Sequence, residues 1–201
     1  MVPAPYQFHQ QASQVGSEMI GAGVASSQMA SLGLAGFGLL VLFPFLMAYA
    51  AASDLLTMLI PNRISLALVL GFAVLAVTGP MSWTEIGFHL GAGAAILVAT
   101  FTLFAFRVIG GGDAKLAAAT ALWLGFDGLG DYLLVASLLG GGLTLAILFA
   151  RAHPLPMRIA RMPFALHLHD AKTGIPYGIA LAAAALIVLP ETDVWSRALA
   201  G

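Results

Sequence analysis

Long apolar runs broken by short polar clusters set the plan of this chain. Uncharged stretches cover residues 32–52, 64–84, 86–106, 132–150 and 173–190, each close to the roughly 20 residues a helix needs to cross about 30 Å of hydrocarbon. A sixth apolar segment, 114–126, is short. At 1.5 Å per residue it spans about 20 Å, so it either begins below the membrane surface or dips inward at its far end. Strands would leave backbone groups unpaired in lipid, so every span is expected to be a helix. The pattern predicts an all-α, polytopic membrane protein with about six transmembrane helices.

The polar clusters orient the bundle. Of 8 cationic residues, Arg63, Arg107, Lys115, Arg151, Arg158, Arg161 and Lys172 fall in the first-second, third-fourth and fifth-sixth connections, leaving Arg197. The positive-inside rule makes those connections cytoplasmic and puts both termini outside. Glu18, Glu85, Asp127, Asp131, Glu191 and Asp193 then lie outside, whereas Asp54, Asp113 and Asp170 lie on the cytoplasmic side. Trp83, Tyr132 and Trp195 fall near outer boundaries, as in an aromatic belt. Residues 1–31 read as a polar N-terminal tail without the basic n-region of a secretory signal. Residues 32–190 form the six-helix membrane domain, and 191–201 a short C-terminal tail. The longest polar insertion, 151–172, contains Pro154, Pro156 and Pro163 and is too short for a domain.

Composition excludes a soluble fold. The 201 residues are 60% hydrophobic and 8% charged, with a mean hydropathy of +0.96, whereas a soluble domain carries about 25% charge. The bilayer is therefore an expected partner and nucleic acid is not, while the net charge of -1 by itself says little about partners. With no cysteine, disulfides, thiolate catalysis and Cys-ligated zinc are absent.

Against this background two acids stand out. Asp54 closes the uncharged run that begins at Leu32, and Asp113 follows Gly110, Gly111 and Gly112. An acid at the hydrocarbon margin costs roughly 2.5 to 3.5 kcal/mol even on the lenient insertion scale, which makes each a functional-site candidate. Structure alone does not favour Asp54 at a helix C-terminus, where it faces the negative end of the macrodipole. Asp113 could serve as an N-cap, which is compatible with chemistry. Pro61 stops a regular helix from running on past Asp54. The glycines read either as a hinge or as a gap where an extended backbone approaches the acid. They lack the Gly-Lys-Ser/Thr ending of a phosphate loop.

Ser53-Asp54-Leu55 with Ile60-Pro61-Asn62-Arg63, then Gly110-Gly111-Gly112-Asp113-Ala114-Lys115-Leu116, then Ile175-Pro176-Tyr177-Gly178-Ile179-Ala180 resemble the small prepilin peptidases of tight-adherence (Flp-type) pilus systems. These are GxGD-type intramembrane aspartic proteases, and the resemblance covers roughly residues 32 to 189. It implies a six-helix membrane peptidase domain in the bacterial inner membrane, with Asp54 and Asp113 as the catalytic pair. Pro61, Asn62, Gly110, Gly111, Gly112, Lys115, Pro176, Tyr177 and Gly178 would shape the site or bind substrate. It further implies a prepilin or pseudopilin substrate with a leader and an apolar helix, with the pilus assembly machinery as a further partner. No cofactor and no metal are expected. The larger prepilin peptidases also methylate the new N-terminus and often carry paired Cys-x-x-Cys motifs. With no cysteine and only short cytoplasmic connections, methylation is not expected here.

The chemistry fits such a pair. Two neighbouring carboxylates cannot easily both ionise, so the pair holds one proton, which belongs to both. The ionised member can accept a proton from water while the other polarises the scissile carbonyl. Other polar groups carry less. His167 and His169 beside Asp170 lack helical ligand spacing for a metal. Arg107 and Lys115 can snorkel to the interface, and Glu85 with His89 reads as an interfacial pair. A proton- or cation-coupled transporter, or a noncatalytic subunit of a secretion or pilus assembly machine, is the alternative function class.

Overall fold

The computed structural model describes residues 41–79, 81–154, 163–171 and 173–200, with Met19 and Gly36. The expected N-terminal tail otherwise lies outside the described residues. Those residues form helices α1 (Phe43–Thr57), α2 (Asn62–Thr78), α3 (Trp83–Ala105), α4 (Gly111–Arg151), α5 (Pro163–His169), α6 (Tyr177–Val188) and α7 (Asp193–Ala200), with a 3-10 turn at Leu189–Glu191. Helices α3 and α4 are long and apolar enough to cross a membrane, and the segments Phe43–Thr57, Asn62–Thr78 and Tyr177–Glu191 are shorter apolar helices.

Helix α4 is two helices joined at one residue. Gly125 has φ 66° and ψ -172° inside it, a combination open essentially only to glycine. The chain reverses there. Residues 111–124 run antiparallel to α3: Thr100 donates to the Ala114 carbonyl at 3.3 Å, and His89 meets the Leu122 carbonyl at 2.7 Å. Residues 126–151 run antiparallel to α6, since Gly128 approaches Val188 and Thr192, whereas Gly140 approaches Tyr177. The expected polar connection around Asp127 and Asp131 is therefore helix, because a single glycine makes the whole turn. Gly125 packs on the His89 ring, six residues or about 9 Å into α3. The first arm is thus short because its far end dips into the bundle.

A core of Phe43, Met47, Ile64, Leu68, Leu116, Trp123, Leu124 and Tyr132 joins α1, α2, α6 and both arms. Trp123 sits at its centre, its indole N–H donating to the Leu68 carbonyl at 2.9 Å. The rings of Phe43 and Phe72 lie 5.1 and 6.4 Å away. On α6, Ala180, Ala182, Ala184 and Ala185 are buried, and such small side chains let helix backbones approach closely. Around this core the outer faces stay apolar: Val77, Val98, Leu138, Leu145 and Phe149 are all exposed, as in a bundle bathed in lipid rather than water.

Several boundaries and placements differ from expectation. Helix α1 continues past residue 52 to Thr57, so Asp54 lies in its last turn. Helix α6 starts only at Tyr177, because the residue before Pro176 is steered away from helical backbone. Tyr132 is fully buried and belongs to the core, not to a belt; Trp83, at 88% exposure, fits that role. His89 is buried and stacks on Phe72 with centroids 5.5 Å apart, while Glu85 closes a capping box with Ser82. The C-terminal segment carries the short helix α7 rather than only a tail.

Candidate functional site

Three separate turns meet at one end of the bundle. The first follows α1, where Met58 takes the left-handed conformation at φ 55° and its N–H closes on the Asp54 carbonyl at 2.9 Å. A non-glycine residue there costs about 1–2 kcal/mol, offset by local hydrogen bonds. Ser53 Oγ donates to the Leu59 carbonyl at 2.8 Å, and Thr57 Oγ1 donates to the Ser53 carbonyl at 2.7 Å. Pro61 then precedes α2 in extended geometry, with ψ 136°. This turn fixes Ile60, at 9% exposure, against the inside of the bundle.

The glycine segment is the second turn. Gly110 is the N-cap of α4, and Asp113 follows in the first helical turn. Asp113 is thus not the cap residue; its carboxylate reaches back to the Gly110 backbone N–H. None of the three glycines has positive φ, so they serve close approach rather than unusual backbone. A Cβ on Gly110 would lie 2.9 Å from Asp113 Oδ2, and one on Gly112 3.1 Å from Ile60 Cβ. On Gly111 it would meet the Phe104 ring at 3.1 Å.

Pro176-Tyr177-Gly178 forms the third turn, at the start of α6. The Gly178 N–H donates to Asp54 Oδ2 at 2.7 Å in a buried, charge-assisted hydrogen bond. A Cβ on Gly178 would sit 2.8 Å from that oxygen and 2.7 Å from Ile60 Cδ1. Ile60 therefore wedges between the glycine beside each acid. Asp54 itself is only 5% exposed. Through Ile60 the two acids are tied to the same end of an apolar bundle.

The remaining expected residues lie at the same end of the bundle. Lys115 Nζ donates to Asn62 Oδ1 at 2.9 Å, linking the starts of α4 and α2. Tyr177 packs its ring on Gly140 and shares a 3.0 Å hydrogen bond with Thr144 Oγ1. Pro176 is fully buried. The Pro-Tyr-Gly segment thus places one N–H on Asp54 through glycine while its tyrosine anchors the turn to α4. Two residues were missed from sequence. Ile60 lies inside one of the quoted motifs, and nothing in its residue type marks the wedge it forms. Arg151, at the end of α4, donates to the carbonyls of Leu168, Thr173 and Gly174 at 2.8, 3.0 and 3.0 Å, bracing the segment that leads to Gly178. Its signal was a lone cation at the last residue of an apolar helix. Among the described residues, no group of three or more His, Cys, Asp or Glu could hold a metal ion.

An all-helical bundle of apolar helices with two carboxylates at one end marks a membrane protein with a candidate acidic site. Residues 40–145 match the type IV leader peptidase family, and the chain belongs to that family. It is similar to the prepilin leader peptidase/N-methyltransferase of Dickeya chrysanthemi, 36% identical over 135 residues, covering 63% of this chain and 45% of that protein. Its similarity to the prepilin leader peptidase/N-methyltransferase of Aeromonas hydrophila is 31% over 151 residues, covering 72% of this chain and 46% of the relative. The chain thus spans about half the length of these curated relatives. No solved structure matches it.

Proposed function

We propose that this protein is an aspartic endopeptidase that removes the leader peptide of a prepilin at the cytoplasmic face of the bacterial inner membrane. The observation that carries the reading is the packing of Ile60 against both Gly112, beside Asp113, and Gly178, whose N–H holds Asp54, which draws two acids from helices separated in sequence to one end of the bundle. In this mechanism one carboxyl is ionised and takes a proton from water as its oxygen attacks the scissile carbonyl carbon. The other, protonated, donates to the carbonyl oxygen as charge builds there. Collapse of the tetrahedral adduct breaks the C–N bond, and the leaving amine takes the proton held by the first acid. The Gly178 N–H, 2.7 Å from Asp54 Oδ2, holds that carboxylate in place and helps to stabilise its charged form.

The proposed topology has six crossings, counting the arms of α4 separately, with both termini outside. The motifs around Asp54, Asp113 and Pro176 further support the tight-adherence (Flp-type) branch, whose substrate has a short leader followed by an apolar helix. Reconstituted protein incubated with a purified Flp-type prepilin tests the reading. Mass spectrometry should find a new N-terminus at one bond between the leader and the apolar helix. An intact prepilin, under conditions in which a known leader peptidase cleaves it, would overturn the proposal.

A further inference from the structure

Helices α2 and α3 diverge on one side of the bundle and leave a trench of about 750 Å³ floored by the first arm of α4. Its mouth carries Asn62, Arg63 and Lys115, whereas its walls and floor are mainly apolar, with small residues such as Ala94, Ala118 and Ala119. We infer that this trench is a binding site for an anionic phospholipid of the leaflet at the site end, with its phosphate at Arg63 and Lys115 and an acyl chain along the floor.

Three features select this occupant. First, the cations lack charged partners: Lys115 donates to the Asn62 amide oxygen, and Arg63 donates to the Tyr49 hydroxyl at 2.6 Å and lies over its ring. Neither pairs with a carboxylate among the described residues, and each keeps donors to spare. Basic pockets between membrane helices at this level suit anionic head groups. Second, the trench reaches from Asn62 to Val69, about 10 Å at 1.5 Å per residue. That depth lies within a single leaflet of about 15 Å, whereas a spanning substrate helix would need a groove running on through the bilayer.

Third, the trench faces away from the acids. At about 100° per residue, Lys115 and Leu122 lie roughly 200° and 180° around α4 from Asp113, and both line the trench. Thr120 and Trp123, which lie closer to the Asp113 direction, are buried in the core instead. A segment seated in the trench is therefore not presented to the acid pair. A bound phosphate would instead bridge the starts of α2 and α4, adjoining the Ile60 and Gly112 contact.

Native mass spectrometry of the full chain released from nanodiscs of equimolar phosphatidylglycerol and phosphatidylcholine tests this inference independently of peptidase activity. A cation at the membrane surface is worth about fivefold in lipid affinity, so with two of them the unaltered protein should retain phosphatidylglycerol roughly 25-fold over phosphatidylcholine. Arg63→Gln with Lys115→Gln should remove that preference. Ala94→Phe, at an exposed position in the trench that keeps both cations, should lower retention of both lipids. Equal retention by the unaltered protein, a preference that survives loss of both cations, or full retention by Ala94→Phe would each overturn the inference. So would cross-linking of a prepilin helix to Ala94→Cys that displaces no phospholipid.

Discussion

The Gly178 backbone N–H reaches Asp54 Oδ2 at 2.7 Å across 124 positions of sequence, so the last apolar helix of the bundle directly holds an acid carried by the first. A Cβ at residue 178 would meet Asp54 Oδ2 and Ile60 Cδ1 inside 3 Å, so a methyl fits there only if those side chains move. Gly178→Ala should therefore push the carboxylate away while the chain still inserts. Leader cleavage should fall at least tenfold, with yield and detergent melting temperature changed little. Native activity in Gly178→Ala would show that this contact does not position Asp54.

Arg151 acts on the same element from behind. It donates to Thr173 and Gly174 carbonyls just ahead of Pro176, and hydrogen bonds from a charged group contribute about 1.5–3 kcal/mol each. Arg151→Ala should lower both melting temperature and cleavage rate, and Arg151→Lys should restore little because a point charge cannot bracket several carbonyls. Rescue by lysine equal to the native chain would argue against this geometry.

Much of this arrangement was legible in the sequence because lipid makes acids conspicuous. Asp54 and Asp113 stood out as rare carboxylates at the ends of apolar runs, and the three motifs around them meet at one end of the bundle. Gly178 could be named as part of a motif but not given a task, because a backbone N–H leaves no trace in residue type. His89 and Tyr132 were misplaced for a related reason. Each is amphipathic and suits an interface as well as a core, and only the reversal at Gly125 brings the His89 ring inside. That reversal was hidden by hydropathy, which sees the residues on both sides as equally apolar.

The orientation of the bundle can be tested by labelling. Trp83 and His153 are exposed and lie at opposite ends, at the start of α3 and just past the end of α4 respectively. In intact spheroplasts an impermeant thiol reagent should label Trp83→Cys and reach His153→Cys only after the membrane is opened. The reverse pattern would invert the proposed topology.

The relatives from Dickeya chrysanthemi and Aeromonas hydrophila are named for leader cleavage and N-methylation, whereas this sequence contains no cysteine. A pilin matured by this chain as the sole peptidase should carry an unmodified N-terminal amine. A methyl group found by mass spectrometry only when this protein is present would contradict that expectation.

In the proposed mechanism Asp54 and Asp113 work as one acid pair. Asparagine preserves the shape of each side chain but cannot cycle a proton, and loss of general acid-base catalysis typically costs 10² to 10⁴ in rate. In a peptidase-free host co-expressing a cognate prepilin, the native chain should convert precursor to mature pilin. Asp54→Asn and Asp113→Asn should each leave the precursor uncleaved at normal membrane abundance, and the double variant should be no worse than either single one. Substantial processing by either single variant would show that the two acids do not act as a catalytic pair.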